Sequence, residues 1–195
     1  MPEQNRERVG KHLVMFTRLI EEQPEVALEH AKEAARLSPR LALTREAVGE
    51  AAYACGDFDL ALRELKTAMR VSGSPAYLPV IADCERGLGR PEKALDIAGS
   101  RDVVKLSREG RVELRIVAAG ARRDLGEIDA ALVTLKCPEL QSDSVEDWSL
   151  RLKYAYADTL EALGRTNEAK SWFRKVADCD EEELTDADER VTALE

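Results

Sequence analysis

The sequence predicts an all-α protein, an α-solenoid of about five stacked helix pairs, and three observations carry that reading. Aromatic residues make up only 5% of the 195-residue chain while Ala and Leu recur throughout, which suits thin helices packed through small side chains better than a sheet sandwich. A motif of Gly, four residues, then Ala returns in GDFDLA (56–61), GRPEKA (89–94), GEIDAA (126–131) and GRTNEA (164–169). The motif alanines, with Ala27 of a degenerate first copy, are spaced by 34, 33, 37 and 38 residues, a length that suits two antiparallel helices.

After a lead-in over 1–7, the first repeat (8–41) contains PEVALEHAKEAARLSP, where Ala27, Ala31, Ala34 and Pro39 keep the pattern but Glu22 replaces the Gly. The second (42–74) holds Gly49, Gly56, Phe58, Ala61, Leu65 and Ala68. In the third (75–111), Ala82, Gly89 and Ala94 keep register, but Gly99 and Ser100 interrupt the second helix, which should be short and followed by a separate turn. The fourth (112–149) has Ala119, Gly126, Ala131 and Leu135 before Pro138 cuts its second helix, and QSDSVEDW should form a loop and helix cap. The fifth (150–177) has Ala157, Gly164, Ala169, Phe173 and Val176.

Each residue type has a physical reason to recur. The Gly closes the first helix in the left-handed conformation. Asp57, Glu92, Asp129 and Glu168 meet the positive end of the second helix. Small residues at Gly49, Ala82, Ala119, Ala157 and the Ala series let backbones approach, while Val48, Phe58, Leu65, Ile81, Leu135, Tyr156 and Phe173 fill the space left over. No single pair can bury its own apolar face, so neighbours must stack.

On Gly49, Gly56, Phe58, Ala61, Leu65 and Ala68, and again on Ala157, Gly164, Ala169 and Phe173, the chain resembles a tetratricopeptide-repeat protein over about residues 8–181. It is also similar to small tetratricopeptide proteins of actinobacteria in stretches such as LGRPEKA. The resemblance implies a right-handed superhelical α-solenoid whose first helices line a concave groove.

The net charge of -9 is concentrated at one end. From Asp178 to Glu195 nine acids face one base, Arg190, while the other 177 residues carry 29 acids and 28 bases. A nearly neutral body opposes nucleic-acid binding, which draws on clustered Lys and Arg. The tail, 178–195, has two readings: a capping helix with Thr185 as N-cap and Leu184, Val191 and Leu194 packed on the fifth repeat, or a mobile segment that folds against groove arginines.

Cys55, Cys84, Cys137 and Cys179 are dispersed, without a C-x-x-C pair, and His12 and His30 are the only histidines. This argues for reduced thiols and against a structural zinc site. The N-terminal stretch lacks the pattern of a signal peptide or membrane anchor and no long uncharged apolar run occurs, so a cytoplasmic location is expected. HEXXH, G-x-S-x-G, Walker A and G-x-G-x-x-G motifs are all missing, and the expectation is a non-enzyme without metal or cofactor.

Offsets from the second repeat place Leu43, Glu46, Glu50 and Tyr53 on the groove face. The equivalents are His12 and Phe16 in the first repeat, Pro79, Asp83 and Arg86 in the third, Glu113, Ile116 and Arg123 in the fourth, and Arg151, Tyr154 and Asp158 in the fifth. None is Lys or Asn, so the carboxylate clamp found in some tetratricopeptide domains is not expected. Tyr53, Arg86, Arg123, Arg151 and Tyr154 are of the types that anchor interfaces. The expected function is an adaptor that binds an extended or helical segment of another protein in the groove. The competing readings are a homodimeric structural subunit and, on the arginines alone, a ribosome- or RNA-associated factor.

Overall fold

A computed structural model describes residues 3–194, with side chains from residue 5 onwards. Its described residues are helices, turns and loops without a strand. The chain divides into two compact units, residues 1–90 and 91–195.

The first unit holds α1 (Glu3–Leu19), α2 (Pro24–Leu37), α3 (Ala42–Ala54), α4 (Phe58–Ser72) and α5 (Leu78–Gly87). Helix α1 runs through most of the expected lead-in, whose first two residues lie outside the described ones. Pro24 opens α2 at a position where its missing N–H costs nothing. The Asp57 side chain accepts from the Leu60 amide at 3.1 Å and caps α4.

Consecutive helices pack on one another through Ala27, Ala31, Ala51, Ala52 and Ala61. At Gly49 a Cβ would stand 2.5 Å from Leu65 Cδ2, so only the missing side chain lets α3 come this close to α4. Two nearly buried glutamates tie neighbours together: Glu64 of α4 pairs with Arg45 of α3 at 2.6 Å, and Glu85 of α5 with Lys66 of α4 at 3.0 Å.

The second unit holds α6 (Pro91–Ala98), α7 (Arg108–Asp124), α8 (Ile128–Leu135), α9 (Asp147–Ala162), α10 (Thr166–Ala177) and α11 (Ala187–Ala193). Helix α6 stops before Gly99 and Ser100 and is followed by a 3-10 turn, Arg101–Lys105. Helix α8 ends short of Pro138, which begins a second 3-10 turn, Pro138–Gln141, whose Leu140 is buried. The core of this unit joins Leu132, Leu135, Trp148, Leu152, Leu160, Phe173 and Val176.

The repeat pattern has a direct structural counterpart. Gly56, Gly89, Gly126 and Gly164 all have positive φ, between 70 and 79°. In each case the following amide reaches back to a helical carbonyl, as Asp57 does to Ala52 and Arg165 to Leu160, closing the last turn. All five motif alanines are wholly buried.

Two details of the C-terminal segment differ from expectation. Leu184 is exposed and Ala187 is buried in its stead, while Val191 and partly buried Leu194 pack on the second core where the capping reading puts them. Thr185 is not the N-cap; Asp186 occupies that position, and its side chain makes no capping bond to the helix. The stronger local tie is Asp180, whose carboxylate accepts from the Leu184 and Thr185 amides at 2.8 Å and from the Thr185 hydroxyl at 2.7 Å.

All four cysteines are free thiols, and burial pushes that of Cys84 up to about 12. Among the described residues no helix is long and apolar enough to cross a membrane.

Candidate protein-binding surface

In the first unit Glu50 and Tyr53 of α3 meet Tyr77 and Asp83 at α5, whereas Pro79, expected on the same face, is buried. Tyr53 donates its hydroxyl to Asp83, whose other carboxylate oxygen accepts from Arg86 at 2.7 Å. Tyr77, just before α5, donates to Glu50. Burial, then the hydrogen bond to Glu50, pushes the Tyr77 phenol far above its usual range. Glu46 lies one turn before Glu50 on α3. Among the described residues it has no hydrogen-bond or ion-pair partner, and burial together with the charge of Glu50 raises its carboxyl above the usual value. Leu43, a turn earlier, is 52% exposed. The face thus carries three carboxylates against one guanidinium, and Glu46 is the carboxylate left open.

The first repeat does not follow the transferred offsets. Phe16 is 8% exposed and packs in the core with Ala27, Ala31 and Ala47, so it is not a surface residue. The turn between α1 and α2 is one residue longer than that between α3 and α4, which rotates the exposed face of α1 relative to α3. His12 faces α2, where its Nδ1 lies 2.9 Å from Nδ1 of His30.

In the second unit the expected anchors bridge neighbouring first helices. Arg123 of α7 donates to Asp158 of α9, and Arg151 of α9 stands 3.4 Å from Glu113 of α7. The arginines are therefore not bare anchors: each sits beside a carboxylate of the adjoining helix.

Helix α11 packs on α10 and sends two side chains across to the face of α9. Arg190 donates to Asp158 at 2.9 Å, to Glu161 at 2.7 Å and to the Tyr154 hydroxyl at 3.0 Å. Its guanidinium lies 4.7 Å from the Phe173 ring centroid. The Tyr154 hydroxyl in turn donates to Asp186. Burial, then that bond, pushes the Tyr154 phenol up to about 12. Burial would raise Asp158, but hydrogen bonds from Arg123 and Arg190 prevail and hold it below the usual carboxylate range.

Sequence reasoning missed Tyr77, Glu161, Asp186 and Arg190. Arg190 carried the clearest signal: it is the sole base of the acidic tail, and Asp158 and Glu161 are one helical turn apart.

Helix pairs closed by left-handed glycines and sealed by buried alanines define a helical-repeat fold of tetratricopeptide type. Among solved structures the chain is similar to TTC0263, a thermophilic tetratricopeptide-repeat protein of Thermus thermophilus. The TM-score is 0.71 over 97% of this chain and 98% of that one, at 20% sequence identity. No protein-family model matches the sequence, and no curated protein matches it.

Proposed function

We propose that this chain is a non-catalytic protein-interaction adaptor, and that the face formed by α3 and α5 takes a partner segment bearing Lys or Arg beside an apolar residue. The observation that carries this reading is Glu46, a half-buried carboxylate without a partner among the described residues, set between exposed Leu43 and the Tyr77–Glu50 pair. Partial burial of an uncompensated carboxylate is unfavourable, and a cation from a partner removes that penalty. The bridges around it hold Glu50, Tyr53 and Asp83 in place before anything binds, so little side-chain ordering remains.

The second unit supplies an internal precedent. The equivalent face of α9, also a tyrosine with two acids, holds an arginine of the chain itself. A random peptide library displayed on phage and selected on the immobilised chain tests the proposal. Enrichment of Lys- or Arg-containing peptides that no longer bind a Glu46→Lys variant supports it, while enrichment of acidic peptides, or indifference to that substitution, sinks it.

A further inference from the structure

His12 and His30 form a pair across the first two helices that the face of α3 and α5 does not use. Each lies nine residues from Glu21 in the turn, and residues equidistant from the turn of an antiparallel pair meet at the same height. Their Nδ1 atoms are 2.9 Å apart, the ring centroids 5.2 Å apart, and the ring planes inclined at 45°. Both rings are half-buried, so the seam holds them while leaving one side open to solvent.

Two metal–nitrogen bonds of about 2.1 Å meeting at a right angle put their nitrogens about 3.0 Å apart, whereas tetrahedral bonds put them about 3.4 Å apart. The observed separation is close to the right-angle case; coordination requires each ring to turn until both Nδ1 lone pairs meet at a common point, with the two nitrogens kept near this spacing. A third oxygen donor is at hand. Glu33 lies one turn beyond His30 on α2, and its carboxylate is 3.5 Å from Arg8, one turn before His12 on α1. Arg8 and Arg36, which hold Glu33, are both more than half exposed, so those pairs restrain the carboxylate weakly. Among the described residues no group of three or more His, Cys, Asp or Glu side chains is already placed to hold a metal ion. Glu33 must therefore swing in, or water completes the shell.

We propose that His12 and His30 bind a divalent late first-row transition-metal ion that favours right-angle coordination, of the nickel or copper class, and that the ion clasps α1 onto α2. Such binding draws on the folded arrangement of both helices, so metal and fold stabilise each other.

Isothermal titration of the full chain with Ni2+ tests this, alongside His12→Gln and His30→Gln variants, which keep a hydrogen-bonding side chain at each site. The expected result is one strong equivalent per chain, weakened about tenfold or more in each variant. Saturating Ni2+ should also raise the melting temperature of the wild type by several degrees and leave the double variant unmoved. If the double variant binds Ni2+ as tightly as the wild type, the ion sits on the thiols or the amino terminus and the proposal falls. It falls equally if the wild type binds none, which would make the pair an interhelical hydrogen bond and nothing more.

Discussion

The faces of α3 and α9 occupy the same place in their respective repeats, and both set a tyrosine among acids, yet one is closed and the other open. On α9, Arg190 of the following helix lies over Phe173 and satisfies Asp158 and Glu161. On α3, Tyr77 engages Glu50, Tyr53 engages Asp83, and Glu46 stays unpaired among the described residues beside Leu43. On the function proposed above, such a face takes a cation with an apolar underside, and it is the supply of that cation that differs. In the second unit Arg190 of the chain itself fills the place. In the first, a partner supplies it under that proposal.

The largest effect should come from the platform under Arg190. Phe173 is wholly buried, and Phe173→Ala should cost about 3–5 kcal/mol through the lost burial and the cavity left behind. Hydrogen exchange should show α11 losing protection along with the core of its unit. Arg190→Ala should cost about 2 kcal/mol, because Asp158 and Glu161 lose a charge-assisted partner in a site about one quarter to one third exposed. Here faster exchange should be confined to α11 and the end of α9. Uniform loosening of the unit would mean that α11 is not a separately docked element.

Acid should act on the two faces with opposite sign. Asp158 is held low in the folded state, so its contribution is present above the ordinary carboxylate value and is lost as the pH falls through the depressed one. Glu46 is raised, so the folded state favours its protonated form, and stability in the first unit falls as the pH rises through that higher value. Denaturant titrations from acid to neutral pH should show Asp158→Asn removing the loss at the acid end. Glu46→Gln should leave the first unit equal or slightly more stable at neutral pH, by about 0.5 kcal/mol or less.

Much of the fold was legible in the sequence because the packing that defines it is local. Ala27, Ala61, Ala94, Ala131 and Ala169 are each buried against a neighbouring helix only a few tens of residues away, and the glycine before four of them closes a turn whose backbone few other residues adopt. The breaks at Gly99 and Pro138 were equally readable, since each acts on its own backbone.

The candidate site was read less completely. Helical offsets identify which residues share a face, and they put Glu46, Glu50 and Tyr53 on one side of α3. They do not say what crosses from the next helix, so the pairing of Arg123 with Asp158 and of Tyr77 with Glu50 stayed hidden. Phe16 failed because a longer turn rotates α1, an effect that offsets counted from the glycine do not contain. The meeting of His12 and His30 was available from their equal distances to the turn, a relation that motif searches along one helix pass over.

The most direct test is the dissociation constant of a Lys- or Arg-bearing peptide from the library selection, measured by fluorescence anisotropy on the wild type, on Glu46→Lys and on Arg151→Ala. Weakening of about tenfold or more in Glu46→Lys, with the Arg151→Ala value within about twofold of wild type, is the predicted result. Equal affinity for all three chains, or a loss confined to Arg151→Ala, would contradict it.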